Sequence, residues 1–106
     1  TGNIKTYALN AKKIHIDIDP SEMNNALRVW KTECAPLMIQ QPGCISEQLL
    51  RGRENSGEFI SLSTWEDQSS IDRYRDSEAH KKIQHHTRAL MNVAKVDVKT
   101  YDLVKW

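Results

Sequence analysis

Lys12-Lys13-Ile14-His15-Ile16-Asp17-Ile18-Asp19-Pro20-Ser21-Glu22 decides the fold. Ile14, Ile16 and Ile18 fall on one side of an extended chain and His15 and Asp17 on the other, the period-two pattern of a half-buried strand over Lys12–Asp19. The pattern stops at Asp19-Pro20-Ser21-Glu22, which supplies a capping oxygen, a proline suited to a first helical turn and an early carboxylate, so a helix opens here. Met23, Ala26, Leu27, Trp30 and Cys34 follow at helical spacing as one apolar stripe. Pro36 bends or interrupts that helix, Leu37 and Met38 extend its apolar character, and Pro42-Gly43 ends it.

Beyond this corner the period changes back. Cys44–Arg53 alternates, Glu54-Asn55-Ser56-Gly57 is a turn, and Glu58–Trp65 alternates again, which reads as a hairpin. From Asp67 the spacing is helical, with a restart at Ser77-Glu78 and continuation to about Asn92; Lys95–Val104 returns to alternation. Strand, helix, strand, strand, helix, strand is an α+β order. Its simplest arrangement is a ferredoxin-like split βαβ (βαββαβ) antiparallel sheet with two helices on one face. His15, Asp17, Ser61, Ser63, Trp65, Lys99 and Tyr101 are expected on the other face, where large aromatics suit a second sheet, hence a homodimer. Ile14, Ile16, Ile60, Leu62, Val96 and Val98 are expected beneath the helices. Residues 1–11 form an N-terminal arm or edge strand, and 12–106 the single domain.

Composition narrows the functions available. A chain of 106 residues buries roughly 60–70% of its unfolded surface, enough for one core. A formal net charge of +1 gives no field for phosphate neutralisation or an anionic membrane surface, so neither nucleic acid nor membrane is an expected partner. The two cysteines, Cys34 and Cys44, suit a reducing compartment better than a disulfide framework, and no apolar run approaches the roughly 20 residues of a membrane span. A cytoplasmic location is therefore expected. Glycine-rich phosphate loops and nucleophile elbows are absent from the sequence.

Trp30, Pro36, the Pro42-Gly43-Cys44 corner, the run Ser63-Thr64-Trp65-Glu66-Asp67, and Tyr74, Ser77 and His80 together resemble the antibiotic biosynthesis monooxygenase family, over about Lys12 to Val104. The resemblance implies a dimeric α/β barrel built from two ferredoxin-like sheets, with a pocket in each subunit between sheet and helices. It also implies a choice of activities, among them cofactor-independent oxygenation of aromatic compounds and heme degradation. The heme-degrading branch uses an Asn, a Trp and an iron-ligating His at positions that fall at about Ile14, Tyr74 and Gln84 here, and none of the three matches.

The polar candidates for chemistry are few. Of four histidines, His85 lies about 160° from the Ile83 direction of its helix and faces solvent, while His80 and His86 lie about 60° to either side. His80, flanking the stripe with Gln84 and Met91, is the candidate general base, with Tyr74 and Gln84 as hydrogen-bond donors. No histidine pair has the spacing of a helix-borne metal site. Trp30 reads as core, Trp65 as dimer packing and Trp106 as a terminal residue free to tuck against a partner. Lys81, Lys82, His85, His86 and Arg88 read as a solvated basic face. Besides an isomerase or lyase on the same fold, which would form product without consuming oxygen, two functions remain open. One is a small monooxygenase, without cofactor, for an aromatic or electron-rich hydrophobic substrate. The other is a non-catalytic dimeric module that binds heme or another hydrophobic ligand.

Overall fold

A computed structural model of the chain describes residues 9–90 and 94–104. Residues 1–8 of the expected arm, Met91 and Trp106 lie outside these described residues. The elements are β1 (Asn10–Ile18), α1 (Met23–Val29), α2 (Ala35–Ile39), β2 (Cys44–Arg51), β3 (Glu58–Trp65), α3 (Gln68–Arg75), α4 (Glu78–Leu90) and β4 (Ala94–Asp102). A short 3-10 turn, Pro20–Glu22, leads into α1. The four strands form one antiparallel sheet in the order β2-β3-β1-β4, the ferredoxin-like arrangement. No described helix is long and apolar enough to cross a membrane.

The first helical region shows how local chemistry sets the roof of the core. Asp19 accepts from the Ser21 backbone N–H at 2.9 Å and starts it. Between α1 and α2 lies a π-helical turn, Trp30–Cys34, in which the Ala35 N–H bonds the Trp30 carbonyl, five residues back. Pro36 explains the wide turn, since its ring clashes with a carbonyl four residues earlier in a regular helix. The turn also corrects a phase error. Ala26, Trp30, Cys34 and Met38 are all buried at steps of four, and each such step drifts about 40° from an α-helical stripe, a drift that the widened turn absorbs.

The second helical region breaks where the sequence suggests. Asp67 caps α3 by accepting from the Ser70 N–H and hydroxyl, both at 2.8 Å, and Ser77 separates α3 from α4. Gly43, at φ +85°, turns the chain from α2 into β2 against Ser70.

Strand β3 corrects the expected faces. Ile14 pairs with Ser61, Ile16 with Phe59, Lys12 with Ser63 and Asn10 with Trp65. Ser61, Ser63 and Trp65 are therefore buried beneath the helices, while Ile60 and Leu62 stand half-buried on the outer face. Phe59 and Trp65 share one parity, and burying these two rings removes more apolar surface than burying Ile60 and Leu62. The serines fill the remaining inner positions and are hydrogen-bonded, Ser61 to Glu47 at 2.7 Å and Ser63 from the Trp65 indole at 2.9 Å. Trp65, fully buried against Tyr74 with ring centroids 5.2 Å apart, is core and not a dimer contact. His15, Asp17, Lys99 and Tyr101 are on the outer face as expected, by their pairing with one another's neighbours across β1 and β4.

Candidate active site

A cavity of about 300 Å³ opens between α4, the end of α3 and the β1–β4 half of the sheet. Lys12, Ile14, Tyr74 and Ile83, all buried, form its floor. His80, Thr87 and Val96 make half-buried walls, and exposed Arg75, Gln84, Arg88 and Val98 rim the mouth. All three residues singled out from the sequence, Tyr74, His80 and Gln84, thus border one cavity. Of the expected aliphatic lining, Ile14, Val96 and Val98 are present. Ile16 is buried in the core instead, and Ile60 and Leu62 belong to the outer face.

His80 is placed by its helix start. Its backbone N–H bonds the Ser77 hydroxyl at 3.1 Å, and its ring stands edge-on to Tyr74 at 5.0 Å. Burial lowers its pKa below the ordinary 6.5, helped by the Lys12 and Arg75 charges; the Arg75 carbonyl, as acceptor, and Asp76 pull the other way. The imidazole is therefore neutral at pH 7. A neutral imidazole keeps one ring nitrogen free of hydrogen, and that nitrogen can accept a proton.

Tyr74 gives the cavity its ring. Its hydroxyl is buried without a hydrogen-bond partner among the described residues, and burial raises its pKa well above the ordinary 10, so it stays an O–H donor. Gln84 stands at the mouth, open to solvent.

The sequence reading passed over Lys12 and Glu47, although their parity with Ile14 and Leu49 marked both as inward. Lys12 is only 3% exposed, with its amine 4.6 Å from the centre of the Tyr74 ring. Burial, with Arg75 adding to it and Glu47 opposing, brings its pKa from 10.5 down to about 8. Glu47 lies in the same cross-strand row, Glu47–Ser63–Lys12, about 10 Å from Lys12 at Cα. Burial pushes its pKa up to about 7 against the pull of the Ser61 hydroxyl and of Lys12, and its second oxygen has no partner among the described residues. Arg88, expected on the solvated basic face, also reaches the cavity rim.

Other reactive groups lie elsewhere. Burial raises the Cys34 and Cys44 thiols to about 12 and about 11, so neither is a thiolate nucleophile near neutrality. His15, Asp17 and Glu58 present ligand-type atoms within 4.8 Å of one another, but on the outer face; His15 Nε2 is 2.6 Å from Glu58 and Nδ1 3.7 Å from Asp17. Ile14 on the floor has no hydrogen-bonding side chain and Gln84 at the mouth has no imidazole to ligate iron, so the residues present do not fit heme degradation.

The sequence matches the antibiotic biosynthesis monooxygenase family over residues 13–86, and the chain belongs to that family. No curated protein matches it by sequence. Its fold is shared with SnoaB, a cofactor-independent oxygenase from Streptomyces nogalater, at 16% identity over 93% of this chain and 96% of that one, with a TM-score of 0.71. A conserved protein of unknown function from Bacteroides thetaiotaomicron is similar at 10% identity over 92% of this chain and all of that one, 100%, with a TM-score of 0.77. A Mycobacterium tuberculosis protein is 14% identical over 92% and 97% of the two chains, with a TM-score of 0.74. At such identities the likeness carries the fold alone.

Proposed function

We propose that the protein is a small monooxygenase that oxidises an electron-rich aromatic substrate without a cofactor. The observation that carries the reading is a neutral imidazole, His80, on the wall of a mostly apolar cavity. His80 takes the proton of a phenol-like substrate and Gln84 at the mouth donates a hydrogen bond to substrate oxygen, while Tyr74, its hydroxyl enclosed, presents its ring to the cavity. The resulting anion carries electron density on ring carbon and itself reduces oxygen. One oxygen atom bonds to that carbon, and the other leaves as water with the carbon-bound hydrogen and the phenolic proton. For 1,5-dihydroxynaphthalene the balanced result is one oxygen molecule consumed, one hydroxynaphthoquinone formed and one water released. The family membership and the cofactor-independent oxygenase among the similar folds support this reading.

The proposal includes a homodimer joined through the outer sheet face, where Ile60, Leu62 and Leu50 leave apolar surface uncovered by the chain's own helices. Oxygen uptake with 1,5-dihydroxynaphthalene should fall at least ~100-fold in His80→Ala, the usual size of a lost general base. Substrate binding, followed by tryptophan fluorescence, should stay within a few-fold. Unchanged turnover in His80→Ala would remove His80 as the base.

A further inference from the structure

The walls of the cavity are unevenly charged. Lys12, Arg75 and Arg88 border it beside the neutral His80, and no carboxylate among the described residues does. Lys12 and His80 both stand against the Tyr74 ring, the amine 4.6 Å and the imidazole 5.0 Å from its centre, and Arg75 follows Tyr74 in the chain and lines the same cavity. The Lys12 ammonium sits on the floor with no carboxylate within 4.0 Å among the described residues, its near contact being the face of Tyr74. Glu47 faces it from β2 and Asp76 acts on His80 from behind, but neither lines the cavity. A buried cation without a counterion is costly, and here the open side is the cavity itself. The rest of the lining, Ile14, Ile83, Val96 and Val98, suits a flat apolar body, and the volume is at the small end for ligand sites.

From this arrangement we infer that the cavity selects an aromatic carboxylate of one or two rings, with the carboxylate between Lys12 and Arg75 beside His80 and the rings against the aliphatic wall. This deepens the proposed function by naming the substrate class, and it rests on the same site. The carboxylate supplies the counterion that the chain does not. It also sets the ring at a fixed distance from His80, so that orientation comes from charge at one end and shape at the other.

The test is a calorimetric titration, without oxygen, of the whole protein at pH 7 with 2-naphthoate and with its neutral isostere 2-naphthamide. The carboxylate should bind at least about tenfold tighter, as expected for a charge-assisted hydrogen bond in a partly dry site. Lys12→Met should bring the ratio close to one while leaving the amide's affinity within about threefold, and Arg75→Gln should lower it part of the way. Equal affinities in the unmodified protein, saturable binding of neither compound, or an undiminished preference in both variants would overturn the inference. Since no oxygen is present, failure of turnover leaves the result standing. Conversely, oxygen uptake together with equal affinities would sink the carboxylate and spare the oxygenase.

Discussion

At the scale of single residues, the site places groups where they cost stability. The fall of the Lys12 pKa from 10.5 to about 8 corresponds to ~3 kcal/mol against the folded state. The penalty is complete below pH 8 and fades as pH rises toward 10.5, because the unfolded chain keeps its proton over that interval. Lys12→Met should therefore raise unfolding free energy by ~1–3 kcal/mol at pH 7, measured by urea denaturation, while it abolishes selection for carboxylates. Glu47 behaves in the opposite sense with pH, since its pKa is raised from 4.5 to about 7. The stability it leaves intact below pH 4.5 is lost as pH climbs through 7, and Glu47→Gln should flatten that loss. His80 has a lowered pKa, so activity should hold below pH 6.5 and decline only as the imidazole is finally protonated. A bound carboxylate beside it would oppose the Lys12 and Arg75 charges, with the Arg75 carbonyl and Asp76 unchanged. Titration of the His80 ring by NMR should accordingly move up when 2-naphthoate is present. That His80 and Gln84 border the cavity was legible in the sequence because both flank the apolar stripe of α4, while Tyr74, a buried ring of α3, was marked by the family resemblance. Lys12 and Glu47 were not, since a charged residue at an inward strand position reads as an end of the strand unless its burial is known.

At the scale of elements, the boundaries follow from capping and turn chemistry. Asp67→Ala removes the acceptor for the Ser70 N–H and hydroxyl, and the loss should be ~1 kcal/mol, with α3 loosened at its first turn, the end away from Tyr74. Gly43→Ala should cost more, at least ~2 kcal/mol, because a Cβ there would lie 2.1 Å from the Ser70 hydroxyl on a backbone already at φ +85°. Both are read from the midpoint of thermal or urea unfolding. Strand β1, the hairpin and the break at Ser77 could be read from period and turn residues. The face of β3 could not, because Phe59, Ser61, Ser63 and Trp65 alternate with Glu58, Ile60, Leu62 and Thr64, and both sets mix apolar with polar. Pairing with β1 settles it, and pairing is a property of the sheet, beyond the reach of one strand's pattern. The π turn had a sign in Pro36, but its use in keeping Cys34 and Met38 on the buried stripe depends on what the helix packs against.

At the scale of the molecule, the proposed dimer gives one sheet two tasks. Its inner face makes the core and the cavity floor, and its outer face offers Ile60, Leu62 and Leu50 for a second copy. Light scattering should give about twice the 12.2 kDa chain mass, and Ile60→Lys should return the single-chain value with the cavity intact. The proposed oxygen chemistry takes place in this cavity with the chain's own side chains. It is tested most directly by supplying heavy-isotope oxygen gas to metal-stripped protein with 1,5-dihydroxynaphthalene. Each quinone formed should carry one labelled oxygen atom, with one oxygen molecule consumed per quinone; quinone carrying only solvent oxygen, or no oxygen uptake above the protein-free rate, would rule the oxygenase out.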